Sequence, residues 1–353
     1  MSHRPPTPEQ QLHFLRQFQR LLVEGSFVAT YKFALLHAIA DLCVAKGDDS
    51  GAPLDLSTED IAERFVELYW PQTVPFLRGE DSAVLMQNTG SQAAVVTAVR
   101  ERHEGYGGSL TTLRRDPEEW RRLLRDVRQT VQRMPLWKLQ TVGEERVEFL
   151  YANLDHGAEI TLQPGVAYCF RAFYPMITEM VEGAWLHHVR RHNPAALGPE
   201  SDLRAFLFGA PRASLERFRP VLGDLQRGRC FYCERGIRGD PHLDHFIAWR
   251  RYPLDLGHNF VLAHATCNER KGDRLAAEEH LAKWSERNLA HGSALAGAFD
   301  ERGLLHDLAV SSRVAEWAYE QVARTEGRVW VRGSELRLLG DGWRGVMGHA
   351  GSD

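Results

Sequence analysis

The sequence predicts an α+β protein that is mostly helical. Two observations favour this class. Apolar residues recur at helical spacing in several segments of the first half, and short β-rich runs between two Cys/His pairs are followed by a helix in the second half. We therefore expect a helix-rich N-terminal domain with one hairpin, residues 1–195, and a C-terminal domain with a strand–strand–helix unit, residues 196–353.

Two helices are predicted near the start of the chain. Residues 30–45 are apolar on nearly every side, which indicates a buried helix. Residues 58–70 follow with Ser57 as N-cap, and Pro71 ends them. Two helices in this order could belong to a helix-turn-helix, in which the second helix would read DNA, or to an ordinary helical domain.

A third helix, residues 117–134, carries four arginines. This run is either a solvated face paired with neighbouring acids or a stripe that binds phosphates. The arginines are Arg121, Arg122, Arg125 and Arg128. Residues 146–165 predict a hairpin with its turn at 155–157, and residues 193–200 predict the linker between the domains.

Composition limits the function classes. Without an apolar leader or a long apolar run, the protein is expected to be cytoplasmic and not membrane-spanning. Five cysteines in 353 residues do not suggest a disulfide framework. The net charge of −4 gives no overall sign of a nucleic-acid binder, but residues 227–274 hold nine Arg or Lys and six Asp or Glu. A locally basic surface would attract a polyanion.

Two short motifs in the second half have the spacing of zinc ligands. Cys230 and Cys233 form C-x-x-C, and His264 and Cys267 form H-x-x-C about thirty residues later. Thiolates and imidazole suit a tetrahedral Zn²⁺, and four protein ligands leave no open position, so the zinc would be structural. A disulfide staple or a redox pair at Cys230 and Cys233 is the alternative, and neither needs the second motif.

The residues between and after these motifs carry a further pattern. "HLDHFI" and "NFVLAH" are β-like runs, and "ATCNERKGD" continues as helix. Asp244-His245 ends the first run, Asn259 begins the second, and Asn268 lies in C-N-x-x-K with Lys271. This arrangement resembles the HNH, or ββα-metal, endonucleases of the zinc-stapled subtype, over roughly residues 225–285.

The resemblance implies metal-dependent hydrolysis of DNA phosphodiester bonds. His245 would take the proton from the attacking water, and Asp244 and Asn268 would hold a catalytic Mg²⁺ or other divalent ion. Asn259 would steady the base through the loop backbone, and Lys271 could contact a phosphate. Arg250 and Arg251 are solvated side chains or phosphate contacts. Three departures from the family pattern are Asn268 as the third letter of the motif, a common variant, His264, where many members have Cys, and Ala248, where Pro is common.

A role in prokaryotic defence or restriction is expected, with DNA as partner and with a homodimer or a partner protein of a defence system as options. The N-terminal domain would recognise the substrate or regulate cutting, because phosphate contacts alone carry no sequence information. The alternatives are a zinc-hairpin module that binds nucleic acid without cleaving it and a nuclease that acts on RNA. A decayed site should have lost Asp244, His245 or Asn268, and all three are present.

Overall fold

The computed structural model describes residues 4–76, 83–153, 157–194, 202–209 and 215–348. The coarse class predicted from the sequence is confirmed, because the described residues are mostly α-helical and their strands form small antiparallel sheets. None of the helices in these ranges combines the length and the apolar character that a membrane span requires.

The chain divides into two compact units, residues 1–210 and 211–353. The sequence placed this division earlier, between residues 195 and 196. The difference arises at helix Leu203–Phe208, which packs within the first unit. The buried amide of Gln72 donates a hydrogen bond to the Leu207 carbonyl at 3.3 Å. Most of the predicted linker lies outside the described residues.

The first unit is a group of helices around one central helix. These helices are α1 (Pro8–Glu24), α2 (Tyr31–Lys46), α3 (Thr58–Tyr69), α4 (Ala94–Gly105), α5 (Leu110–Arg114), α6 (Pro117–Arg133), α7 (Pro135–Lys138), α8 (Val166–Ala172), α9 (Tyr174–His192) and α10 (Leu203–Phe208). The central helix is α2, in which every residue from Lys32 to Ala45 is buried. It packs against α3, α7, α8 and α9, so the predicted all-round burial of this helix is confirmed.

Helix α3 begins at the predicted cap. The Ser57 hydroxyl accepts a hydrogen bond from a backbone N–H of the first turn at 3.0 Å, which satisfies one of the free donors of a helix start. The one arginine of α3, Arg64, is buried against Asp41 and Glu67 at 3.3 and 2.5 Å. A helix that reads DNA must present side chains to a groove. The hypothesis that residues 58–70 read DNA therefore does not fit the structure.

Two small sheets lie in the first unit. Strand β1 (Leu54–Ser57) pairs with β4 (Glu159–Leu162), and β2 (Thr141–Val142) pairs with β3 (Glu145–Arg146), both antiparallel. The hairpin predicted over residues 146–165 is therefore wrong, because its second run pairs with β1. Its turn lies mostly outside the described residues.

The side chain of Gln140 explains why the first run of that hairpin is not a strand. Its buried amide accepts from the Leu150 N–H at 2.7 Å and donates to the Tyr151 carbonyl at 2.8 Å. A side chain thus takes backbone groups that a partner strand would use. Between the two runs only the bridge from Tyr151 to Leu162 is formed among the described residues.

Helix α6 carries the four arginines noted in the sequence. Its acidic residues form ion pairs with arginines. Arg122 pairs with Glu118 and Glu119, and Arg102 of α4 pairs with Asp126 at 3.2 Å. The other three arginines form no ion pair with a described residue, and their spacing places them on one helix face. We call them the arginine stripe: Arg121, Arg125 and Arg128.

A buried charge network lies inside the first unit. His37 is 3.2 Å from Asp41 and 3.5 Å from Glu182, and the Tyr174 hydroxyl donates to Asp41 at 2.6 Å. Burial disfavours the charged imidazole, but the two carboxylates outweigh it and raise the pKa of His37 to about 10. Each buried charge in this network therefore has an opposite charge beside it.

The second unit contains two hairpins and several helices. In chain order these are α11 (Arg219–Gln226), β5 (His242–His245), β6 (Phe260–Ala263), α12 (Ala265–Lys271), α13 (Glu278–Asp300), α14 (Leu308–Arg324), β7 (Arg328–Arg332), β8 (Glu335–Leu338) and α15 (Gly342–Gly348). Strands β5 and β6 are antiparallel, with Asp244 opposite Val261 and His245 opposite Phe260. With α12 they form the predicted strand–strand–helix unit.

The apolar core of the second unit lies under this hairpin. Phe218, Phe260 and Phe299 pack together in it, with ring centroids 4.7 Å apart for Phe218 and Phe260. Gly257 precedes β6 at a close approach, because a Cβ there would lie 2.5 Å from the Phe299 ring. The Trp284 indole donates to the His258 carbonyl at 3.0 Å and thus holds the turn that leads into β6.

Candidate metal centre and adjacent polar site

Four ligand side chains of the second unit converge on one point. The ligand atoms of Cys230, Cys233, His264 and Cys267 all lie within 4.8 Å of one another. Around a tetrahedral zinc with Zn–S bonds of about 2.3 Å, sulfur atoms are separated by about 3.8 Å. The four side chains are therefore arranged as such a site requires, and they would fill every position on the ion. The structure therefore brings all four predicted ligands together.

The two ring nitrogens of His264 have different neighbours. Nδ1 lies 3.3 Å from the Cys233 sulfur and 4.0 Å from the Cys267 sulfur, and Nε2 lies 3.2 Å from the Gly236 carbonyl oxygen. A neutral imidazole that donates Nε2–H to a carbonyl leaves its Nδ1 lone pair for a metal. This assigns Nδ1 as the ligand atom of His264.

Local backbone bonds shape the first pair of ligands. The Glu234 N–H donates to the Cys230 carbonyl at 2.9 Å, and Glu234 itself has the left-handed φ of +61°. The Phe231 N–H donates to the Leu262 carbonyl of β6 at 2.9 Å. The C-x-x-C turn is thus fastened to the strand that leads to His264.

Asp244 lies on β5 and is only 7% exposed. Its two carboxylate oxygens lie 3.2 and 3.1 Å from the Lys271 ammonium, and the Tyr232 hydroxyl donates to Oδ2. Burial and the nearby carboxylate raise the pKa of Tyr232, so its hydroxyl keeps its proton. Sequence reasoning missed Tyr232, although it lies inside the C-x-x-C turn.

Lys271 is fully buried, with its ammonium on Asp244 and, at 2.8 Å, on the His245 carbonyl oxygen. The predicted phosphate contact of Lys271 therefore does not fit the structure. A buried ammonium needs an opposite charge and hydrogen-bond acceptors, and both are supplied by β5. Lys271 holds the helix α12 against the strand that carries Asp244 and His245.

His245 has an acidic partner that the sequence did not reveal. Its Nε2 lies 2.8 Å from Oδ1 of Asp255, which stands in the loop between β5 and β6. The imidazole packs beside Phe260, with ring centroids 4.4 Å apart, and near Trp249 at 5.5 Å. A carboxylate in this position fixes the orientation of the ring. No spacing rule identified Asp255, because only the course of the loop brings it to His245.

The two asparagines differ in their surroundings. Asn259 accepts from the Ile247 N–H at 2.8 Å and donates to the Ile247 carbonyl at 2.9 Å, which is the expected contact with the loop backbone after His245. Asn268 is half-buried on α12, and its carboxamide makes no hydrogen bond to a described residue. It precedes Lys271 by three residues and so lies on the same helix face.

The two arginines of the loop have different roles. The Arg250 side chain is 79% exposed and lies 3.6 Å from the Asp273 carboxylate. Arg251 is partly buried, and its Nε donates to the Asp273 carbonyl at 3.0 Å. Arg250 is therefore an exposed side chain paired with Asp273, whereas Arg251 holds the loop to the chain after α12.

Asp244 and His245 of β5 and Asn268 of α12 lie on the strand and helix that Lys271 joins, and we call these three residues the polar site. Asp244 and Asn268 offer oxygen atoms, which hard divalent cations prefer. His245 offers a nitrogen base that is oriented by Asp255. A carboxylate, a carboxamide and an oriented imidazole are together suited to metal-assisted hydrolysis.

Comparison with known protein families gives a match to the first unit. The family described as Domain of unknown function (DUF8808) matches residues 11–201, more than half of the chain, so the chain belongs to this family. The matched range ends before the four-ligand cluster and before Asp244. No curated protein and no solved structure matches the chain.

Proposed function

We propose that this member of the DUF8808 family is a metal-dependent endonuclease that hydrolyses DNA phosphodiester bonds through its second unit. One observation carries the proposal. A strand–strand–helix unit brings Asp244 and His245 of β5 beside α12, which carries Asn268, and four metal ligands lie at the base of the same unit. This is the arrangement that the sequence resemblance to zinc-stapled HNH endonucleases implies.

The chemistry assigned to each residue follows from its surroundings. His245 takes the proton of the attacking water, and Asp255 stabilises the imidazolium that results. Asn259 holds the backbone that follows His245 and so positions the base. A divalent cation, when bound by Asp244 and Asn268, supplies positive charge to the phosphoryl and leaving oxygens. The four-ligand cluster has a separate, structural duty.

Asp244 must change partners in this proposal. Its oxygens contact Lys271 and Tyr232, so a cation would have to share or replace one of these contacts. Lys271 also bonds to the His245 carbonyl, and it can keep that bond when Asp244 turns. The burial of Asp244 favours a second candidate, in which the unit binds nucleic acid without cleaving it.

We also propose that the first unit selects the substrate, as a defence or restriction nuclease would require. The hairpin of the second unit can contact mainly phosphates, which carry no sequence information. The arginine stripe on α6 supports this role, because its guanidinium groups have no acidic partner among the described residues. Guanidinium groups without an acid bind phosphate well.

The test is cleavage of plasmid DNA by the full chain, with MgCl₂ and without added metal. We expect Mg²⁺-dependent cutting that falls roughly 10²-fold or more in His245→Ala, with DNA affinity nearly unchanged. His291→Ala, at an exposed histidine of α13, is the matched control and should cut like the wild type. DNA binding without any cutting would support the non-cleaving candidate. Cutting of an RNA of the same sequence in preference to DNA would change the substrate.

A further inference from the structure

A basic cavity lies at the end of α12. It has a volume of about 470 Å³ and is lined by two arginines and by the β7–β8 hairpin. The lining residues are Arg270, Arg274, Trp330, Gly333, Ser334 and Leu336. None of these residues belongs to the polar site around His245.

Backbone bonds hold the hairpin against the chain that follows Arg274. The Trp330 N–H donates to the Leu275 carbonyl at 2.8 Å, and the Ala277 N–H donates to the Trp330 carbonyl at 2.7 Å. The Trp330 indole donates to the Gly333 carbonyl at 3.0 Å and so fixes the turn. Main-chain contacts therefore fix the hairpin that forms one wall of the cavity.

The two arginines have no acidic partner among the residues that the structure describes. Of the acids that neighbour the lining residues in sequence, Asp273 lies 3.6 Å from Arg250 and Glu335 lies 3.0 Å from Arg332. Glu269, which precedes Arg270, is exposed and forms no ion pair with a described residue. The Arg270 guanidinium reaches the hairpin turn, since it would lie 3.8 Å from a Cβ at Gly333. Two unpaired guanidinium groups and the exposed Ser334 hydroxyl face a common space.

We propose that this cavity binds a phosphate group of the nucleic-acid strand on which the enzyme acts. Each guanidinium group can bind phosphate oxygens through a pair of hydrogen bonds, and a serine hydroxyl can donate a further one. Arg270 directly precedes Lys271, whose ammonium bonds to Asp244 and to the His245 carbonyl. A strand held in the cavity therefore lies at the end of α12, the helix that also carries Asn268 and Lys271. The identity of the ligand rests on the proposed function.

The experiment measures binding and cutting separately. Binding of a fluorescein-labelled 30-base-pair duplex is followed by anisotropy without added Mg²⁺ from 50 to 300 mM NaCl, in the full-length His245→Ala protein. The test variant adds Arg270→Gln and Arg274→Gln. The matched control instead adds Arg302→Gln and Arg324→Gln, which change the charge equally at exposed arginines paired with Glu301 and Glu320. Zinc content and thermal melting verify that each protein is folded.

We expect the test variant to bind the duplex about tenfold more weakly at 100 mM NaCl. The slope of log affinity against log salt should become shallower by about 1, because the loss of one phosphate contact removes about one unit. The control should stay within threefold of the parent. If the test variant has the parent's affinity and salt slope, the cavity does not bind a phosphate of the strand, even if wild-type protein cuts DNA. If the test variant binds DNA more weakly but the wild-type protein never cuts DNA, the phosphate site stands and the proposed hydrolytic function is wrong.

Discussion

Replacing Lys271 with methionine removes the cation that neutralises Asp244. The side chain is fully buried, and its ammonium makes contacts of 3.1 and 3.2 Å with the carboxylate and 2.8 Å with the His245 carbonyl. Methionine fills a similar volume, so the loss is mainly electrostatic. Removing one partner of a buried ion pair costs about 3–5 kcal/mol. Because Tyr232 still donates to Asp244, we expect the lower end, about 3 kcal/mol, or roughly 10²-fold in the unfolding equilibrium.

The double variant Asp244→Asn, Lys271→Met provides the control for this reasoning. It removes both charges, so the second unit should recover at least about 1 kcal/mol relative to Lys271→Met alone. Pulse proteolysis of the full chain in increasing urea measures this, with a C-terminal tag to follow the fragment of the second unit. A loss below about 1 kcal/mol in the single variant, or a double variant that is no more stable, would refute the buried ion pair as a stabilising contact.

Three further outcomes are expected. Cys267→Ser should release zinc and unfold the second unit, because the free energy of binding a structural zinc also stabilises the fold. Elemental analysis of folded wild-type protein measures the zinc content, and less than about half a zinc per chain would contradict this. The stability lost in His37→Gln relative to wild type should be largest below pH 6.5 and should shrink as the pH rises through about 10. The reason is that the pKa of His37 is higher in the folded than in the unfolded protein. Thermal melts of both proteins across that pH range test this. Replacing the arginine stripe with glutamines should change preferences across plasmid, phage and modified DNA, and identical preferences would count against recognition by the first unit.

Features set by short stretches of sequence were predictable. The cap of α3 depends on Ser57 and the next three residues, and α2 is apolar over its own length. The four metal ligands could be identified because each pair lies within one turn of chain. The coarse fold class follows from the same local signals.

Features set by distant parts of the chain were not predictable in this way. Strand β4 pairs with β1, which lies about a hundred residues earlier in the chain. The nearer segment around Leu150 does not pair as a strand, because its backbone bonds to the side chain of Gln140. A lysine in a sequence is expected in solvent, and only the approach of α12 to β5 shows why Lys271 is buried. Likewise, only the course of the loop between β5 and β6 brings Asp255 to His245.

The burial of α2 on every side has a consequence for synthesis of the protein. Helix α2 ends at Lys46, but α9, which covers part of its surface, ends only at His192. At translation rates of about 5–20 residues per second, the apolar helix remains without this cover for roughly 7 to 30 s. Apolar surface that stays exposed during synthesis promotes aggregation, which chaperones counteract. Truncations that end before α9 should therefore yield insoluble chains, whereas truncations after the first unit should not.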